Sequence, residues 1–196
     1  FFFKQKTAYE IVDCDWSSDV CSSDLKKETG RALAIAYCNR GFAFTEKREL
    51  DKAMADLDQA IKADDSYACP FSNRGRVWQF KGNTEKAMAD YNQAIKLDPK
   101  FAIAYNNRGD AYLNRDNLDL AIADFSTAIK LDPHFGGALG NRGYAYFRKR
   151  AYDRALADFN ALLKLTPNDM MTYIKDRKST RLNSSHSQQS RMPSSA

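Results

Sequence analysis

Apolar residues recur along most of this chain at the spacing of one face of an α-helix. Ala87, Tyr91, Ala94 and Ile95 form one such stripe, and polar residues fill the positions between them. This pattern predicts a chain of amphipathic α-helices. No apolar run approaches the length that a membrane-spanning helix needs.

The tripeptide Asn-Arg-Gly gives the helices a fixed period. It begins at Asn39, Asn73, Asn107 and Asn141, and each copy begins 34 residues after the previous one. A period of this size is typical of stacked helical hairpins. With the glycine at the eighth position, the chain contains four units, residues 34–67, 68–101, 102–135 and 136–169.

Small and large residues recur at fixed positions of these units. The twentieth position holds alanine in all four units: Ala53, Ala87, Ala121 and Ala155. Four residues later the chain has large residues: Leu57, Tyr91, Phe125 and Phe159. A glycine inside a helix costs about 1 kcal/mol relative to alanine. Its recurrence at the eighth position therefore predicts that the two helices of each unit approach closely there.

These landmarks resemble the tetratricopeptide repeat (TPR) family over about 140 residues. Aromatic residues stand three positions after the glycine, and proline closes the last three units at Pro99, Pro133 and Pro167. The resemblance implies an all-α fold, a right-handed superhelical solenoid of antiparallel helix pairs. It also implies a concave groove that is lined by the first helix of each unit.

The seventh and twenty-third positions of the units carry opposite charges. The seventh position, which is usually leucine in the family, is arginine in every unit, and the twenty-third is aspartate. We predict a partly buried ion pair between the two helices of each hairpin; the alternative is a set of solvated pairs that contribute little. The predicted pairs are Arg40–Asp56, Arg74–Asp90, Arg108–Asp124 and Arg142–Asp158.

The resemblance also predicts which residues face the groove. Those we select as peptide-binding residues are Asn39, Phe42, Asn73, Arg76, Phe80, Asn107, Asp110, Asn141, Tyr144 and Arg148. The recurring asparagine can pair with the backbone of an extended peptide, because an amide both donates and accepts. A purely local structural role for this asparagine is an equal alternative.

The groove does not resemble that of family members which bind an acidic C-terminus with lysines at positions two and five. Here those positions hold Ile35, Cys38, Cys69, Ser72, Ile103, Asn106, Gly137 and Gly140. We therefore expect an extended or helical peptide with apolar anchors, which can also carry an acid that pairs with an arginine.

Composition and motifs argue against catalysis. The net charge is +5 with both signs interspersed, which is typical of a solvated surface rather than of a nucleic-acid interface. His134 is interpreted as a solvated loop residue, and we find no phosphate-binding loop, metal-ligand motif or cofactor site. For Cys38 and Cys69 we favour two isolated thiols in a reducing cytoplasm, with a disulfide or a metal-binding pair as the alternative.

Both ends of the chain look foreign to the repeats. We interpret residues 1–25 and 176–196 as translated sequencing-adapter sequence, because Asp15–Leu25 and Asp176–His186 would be encoded by opposite strands of one oligonucleotide. Native disordered tails are the alternative. On our interpretation both ends are disordered and residues 26–175 are the repeat domain, a fragment with a truncated fifth unit from residue 170. Its uncapped last repeat is expected to fray or self-associate.

Two functions are compatible with these features. The first is a protein–protein interaction scaffold that binds peptide segments of a partner and is not an enzyme. The second is a regulatory or substrate-docking module of a larger enzyme whose catalytic domain lies outside this sequence. A membrane partner is not expected.

Overall fold

The computed structural model describes the backbone of residues 19–165 and the side chains of residues 28–165. Eight α-helices and no strand occur in that range. They are α1 (Asp19–Glu46), α2 (Leu50–Ala63), α3 (Ala68–Phe80), α4 (Thr84–Leu97), α5 (Ala102–Asn114), α6 (Leu118–Leu131), α7 (Gly136–Arg148) and α8 (Tyr152–Leu165). Each predicted unit holds two of these helices, so the predicted all-α fold of repeated helix pairs is confirmed.

The helices divide into two compact units. Unit 1 extends to Ala111 and contains α1 to α4 with most of α5, and unit 2 begins at Tyr112 within α5 and contains α6 to α8. In unit 1, α1 packs on α2 and α3, and α3 packs on α4. In unit 2, α7 packs on both α6 and α8. The first helices α1 and α3 therefore lie side by side in unit 1.

The first helix begins earlier than the sequence predicts. Residues 19–25 belong to α1, although we expected residues 1–25 to be disordered. Extending an existing helix adds one hydrogen bond for each residue that is ordered, so residues 19–25 can continue a helix that packing has already fixed. The predicted disorder of 1–18 and 176–196, and the truncated fifth unit, lie outside the described residues.

The turn inside each helix pair uses a left-handed residue at the same repeat position. Arg48, Asp116 and Arg150 have φ of 62°, and Gly82 has φ of 77° at the equivalent position of the second repeat, residues 68–101. Only glycine adopts this conformation without a steric penalty. Three repeats therefore have a strained non-glycine residue at the position where the second repeat has glycine.

The repeat glycines lie where the paired helices are closest. A Cβ added to Gly75 would lie 2.6 Å from Cε1 of Tyr91, and one added to Gly143 would lie 2.9 Å from Cε1 of Phe159. Tyr91 itself is fully buried. The predicted packing reason for these glycines is thus present in the structure, since a larger residue would overlap an aromatic ring.

The predicted arginine–aspartate partners meet in three of the four hairpins. In each, Nε and Nη2 of the arginine donate to the two carboxylate oxygens of a buried aspartate, at 2.6–2.9 Å: Arg40–Asp56, Arg74–Asp90 and Arg142–Asp158. The hydrogen bonds that Arg74 donates to Asp90 raise the pKa of Arg74, although burial opposes this shift. Arg108 lies in unit 1 and Asp124 in unit 2, so their pairing stays a prediction.

The remaining guanidinium nitrogen links neighbouring repeats. In three arginines Nη1 donates to a polar residue 16 positions earlier, on the second helix of the preceding repeat. These contacts are Arg74–Asp58 at 2.7 Å, Arg108–Asn92 at 2.8 Å and Arg142–Ser126 at 3.1 Å. The planar fork of arginine suits this double role, because its donors point in fixed directions.

Candidate functional site

The residues predicted to line the groove all lie on first helices. Unit 1 places Asn39 and Phe42 on α1, three more on α3, and Asn107 and Asp110 on α5, while Asn141, Tyr144 and Arg148 lie on α7 of unit 2. The two sets are described separately below.

Two of the recurring asparagines bond the first helix of the preceding repeat. Asn73 Nδ2 donates to Cys38 Sγ at 3.3 Å, and Asn107 Nδ2 donates to Ser72 Oγ at 3.1 Å. Both partners lie 35 residues earlier in the chain. These amide donors therefore serve repeat packing, which favours the structural alternative for position six. Asn39 is exposed and Asn141 is partly buried.

Arg76 lies at the centre of a partly exposed cluster of aromatic and charged side chains on α1, α3 and the turn that follows α1. Its guanidinium carbon is 5.7 Å from the ring centroid of Phe42 and 5.4 Å from that of Phe80, and its Nη1 is 2.8 Å from Oε1 of Glu46. The guanidinium of Arg48 stacks on Phe80 at 3.8 Å. Phe42 remains 44% exposed. We call these five residues the Arg76 cluster.

A polar network lies beside the Arg76 cluster and orients Asp110. The Tyr91 hydroxyl donates to Gln79 Oε1 at 2.9 Å, and Gln79 Nε2 donates to Asp110 Oδ2 at 2.6 Å. Burial raises the pKa of Tyr91, and the Asp110 charge acts in the same direction. The phenol thus stays protonated and the network holds helices α3, α4 and α5 together.

In unit 2 the exposed surface of α7 includes the predicted site residue Tyr144 and its neighbour Phe147. Tyr144 is 49% exposed and Phe147 is 54% exposed. Phe147 makes an edge-on contact with Tyr152, with 5.8 Å between ring centroids. Arg148 Nη2 donates to Asp116 Oδ1 at 2.9 Å. This predicted groove cation is therefore engaged by a turn residue of the preceding repeat.

The two repeat cysteines are not isolated. Cys38 Sγ and Cys69 Sγ lie 3.0 Å apart, which corrects our expectation of two separate thiols. The two residues are 31 positions apart, the same offset that joins Gln79 and Asp110. That offset is the signal in the sequence that relates facing positions of adjacent first helices.

No group of three or more His, Cys, Asp or Glu residues that could hold a metal ion occurs among the described side chains. His134 is an exposed loop residue whose backbone N–H donates to Asp132. Within the same range, no helix is both long and apolar enough to cross a membrane.

Several solved structures share the fold. The chain is similar to MamA, with 22% identity over 70% of this chain and 81% of that one and a TM-score of 0.60. For PilF of Pseudomonas aeruginosa the identity is 22%, the coverage is 72% and 64%, and the TM-score is 0.66. The second TPR domain of human RPAP3, solved in complex with the HSP70 peptide SGPTIEEVD, is 28% identical over 59% of this chain and 97% of that domain, with a TM-score of 0.52.

Comparison of the sequence with curated proteins finds no match. Tetratricopeptide repeat family models match residues 34–67, 102–135 and 136–169, and a TPR repeat model matches residues 81–116. Three of these matches coincide with predicted units. The matches extend from residue 34 to residue 169, and the paired helices between those residues have the packing that the repeat requires. The chain therefore belongs to the tetratricopeptide repeat family.

Proposed function

We propose that this protein binds a peptide segment of a partner protein through the Arg76 cluster. Proteins of this family are in general interaction scaffolds without catalytic activity, and the RPAP3 domain was solved with a bound peptide. The observation that carries the proposal is the contact of the half-buried Arg76 guanidinium with the exposed ring of Phe42 and the half-buried ring of Phe80. Arginine and aromatic side chains are the residues that most often dominate binding energy at interfaces.

The cluster suits a peptide that has an apolar anchor next to an acid. The two phenylalanine rings supply apolar area, and the guanidinium between them supplies a bidentate donor for a carboxylate. Glu46 pairs with that guanidinium, with its Oε1 2.8 Å from Nη1 of Arg76. Exposed ion pairs of this kind contribute about 0–1 kcal/mol, so a ligand carboxylate can replace Glu46 at low cost.

The ligand class should differ from that of lysine-clamp members of the family. Positions two and five in unit 1 carry Ile35, Cys38, Cys69, Ser72, Ile103 and Asn106. With no lysine among them, recognition of a terminal carboxylate loses its usual cations. We therefore propose an internal peptide segment rather than a free C-terminus as the preferred ligand.

The test starts from peptides selected on the protein itself. Random peptides displayed on phage are selected against the full chain, and the enriched peptides are labelled with fluorescein for anisotropy titration. Arg76→Ala and Phe80→Ala should each weaken binding by about thirtyfold, which corresponds to a loss of about 2 kcal/mol. Asn107→Ala should also weaken binding, but by less, since its amide donor already bonds Ser72.

Arg154→Ala is the matched control. Arg154 lies on α8, and its guanidinium carbon is 5.7 Å from the ring centroid of Tyr146. This variant therefore removes a comparable arginine–aromatic contact outside the proposed site. It should leave affinity unchanged. Selected peptides that bind Arg76→Ala and Asn107→Ala as tightly as the original chain would refute the assignment of the site.

A further inference from the structure

Two cysteine side chains meet between the first two repeats of unit 1. Cys38 on α1 is fully buried, and Cys69 on α3 is partly exposed. Their sulfur atoms lie 3.0 Å apart. Because a disulfide bond is about 2.05 Å long, the sulfurs need to approach by only about 1 Å to become bonded.

The surroundings make the two thiols chemically different. Hydrogen bonding from Cys38 lowers the pKa of Cys69; burial opposes this shift, and hydrogen bonds from Tyr67 and Asn73 add to it. The same contact with Cys69, together with burial, raises the pKa of Cys38. Asn73 Nδ2 lies 3.3 Å from Cys38 Sγ and 3.6 Å from Cys69 Sγ, so its amide can donate to either sulfur. Cys69 is therefore the nucleophile, and Cys38 keeps its proton.

We propose that Cys38 and Cys69 are a reversible thiol–disulfide pair that locks α1 to α3 when a peroxide oxidises it. The Cys69 thiolate attacks hydrogen peroxide, which breaks the O–O bond, gives a sulfenic acid at Cys69 and releases hydroxide. The sulfur of Cys38 then attacks the Cys69 sulfur, and its proton leaves with the sulfenic hydroxide as water. In total two thiols and one peroxide become one disulfide and two waters, and a dithiol reductant reverses the change.

Oxidation also changes the contacts of Asn73. In the reduced form the amide donates to the sulfurs of the Cys38 thiol and the Cys69 thiolate, and a neutral disulfide is a weaker acceptor than a thiolate. The covalent link ties the first helix of the first repeat to that of the second. We therefore expect the oxidised form of unit 1 to resist unfolding more than the reduced form. This inference does not depend on the peptide-binding proposal, because it is measured without ligand.

The test uses the full chain with Cys14→Ser and Cys21→Ser, so that the two repeat cysteines are its only thiols. After treatment with equimolar hydrogen peroxide, intact mass should fall by two hydrogens, and peptide mapping should join the Cys38 and Cys69 peptides. Dithiothreitol should restore both thiols. The melting temperature should rise on oxidation and return on reduction.

Single variants assign the roles and keep the test decisive. In the same background, Cys38→Ser should accumulate a sulfenic acid at Cys69 that dimedone traps, while Cys69→Ser should react much more slowly. Far-UV circular dichroism checks that both variants fold. The proposal is overturned if the folded parent yields over-oxidised or intermolecularly linked cysteines without the Cys38–Cys69 peptide, or if the two single variants react at equal rates.

Discussion

Replacement of Gly75 by alanine should destabilise the protein even though alanine is the better helix former. The new Cβ would lie 2.6 Å from Cε1 and 2.8 Å from Cδ1 of Tyr91, and 3.1 Å from the backbone oxygen of Ala87. Tyr91 is fully buried and its hydroxyl is held by Gln79, so the ring has no free space to move into. The helices α3 and α4 must therefore separate slightly or the ring must leave its preferred rotamer.

The expected magnitude follows from two opposing contributions. Alanine in place of glycine favours the helix by about 1 kcal/mol. Inserting a methyl group into a well-packed core costs about 1–3 kcal/mol, and two ring atoms below 3.0 Å place Gly75 at the upper end of that range. We therefore expect Gly75→Ala to lower the free energy of unfolding by roughly 1–2 kcal/mol.

Gly140→Ala is the matched control, because it makes the same change in a helix without the overlap. The nearest atom to its added Cβ is Cδ2 of Leu162 at 3.4 Å, an ordinary van der Waals contact. Here the helical gain should dominate, and stability should rise by roughly 0.5–1 kcal/mol. Urea unfolding of the full chain, followed by far-UV circular dichroism, compares the two variants.

The signs of the two changes in the free energy of unfolding are the test: a loss is expected for Gly75→Ala and a gain for Gly140→Ala. If both alanines stabilise the protein, the overlap with Tyr91 does not constrain the hairpin and our account of the repeat glycine is wrong. A second measurement locates the cause: in a Tyr91→Leu background, Gly75→Ala should cost less than in the original chain. The difference is the coupling free energy between the two positions.

Four further substitutions test other contacts of the repeat. Arg74→Ala should lower the free energy of unfolding by about 1.5–3 kcal/mol, because it leaves the carboxylate of its aspartate partner buried and unpaired. Arg40→Ala should cost less, since its side chain is 61% exposed against 23% for Arg74; equal losses in urea unfolding would contradict this. Lys81 lowers the pKa of Asp51 by its hydrogen bond and its charge, so Lys81→Met should raise that pKa in an NMR titration, and an unchanged pKa would count against the ion pair. Because the folded pKa is depressed, the pair stabilises the protein above the unfolded-state pKa of Asp51. The contribution of this ion pair to the free energy of unfolding disappears as pH falls through the folded-state pKa of Asp51. The Lys81→Met variant, which has no ion pair at this place, should lack the contribution at every pH. Arg150→Gly should raise stability by about 1 kcal/mol, because residue 150 has φ of 62°, and a loss of stability would contradict the assigned turn strain.

The sequence predicts the helices well because one physical requirement is repeated. Each unit must bury the same stripe against the same neighbours, so the glycine and alanine positions recur at one spacing and define the hairpin. The buried alanines Ala53, Ala87 and Ala121 all lie where the period places them. The arginine–aspartate pairs follow from the same argument, because two charges of opposite sign recur together on facing helices.

Contacts between successive first helices are harder to predict. They depend on how far each helix is rotated about its own axis, and the hydrophobic stripe defines that rotation only coarsely. For Asn73 the stripe does not distinguish an amide that faces a ligand from one that turns toward Cys38. The left-handed turn residue had a usable signal, because Gly82 aligns with Arg48 and Arg150, but the arginines obscured it.

Once the offsets are known, they show which repeat junction is unusual. The offset of 31 residues joins position five of one repeat to position two of the next, and at the first junction both positions are cysteine. At the next junction within unit 1 the same two positions hold Ser72 and Ile103. Repeat packing alone is therefore satisfied by a hydroxyl and an aliphatic side chain, and it does not require sulfur. Since Cys38, Cys69 and the amide of Asn73 meet at one junction, the dithiol is a property of that junction rather than of the repeat.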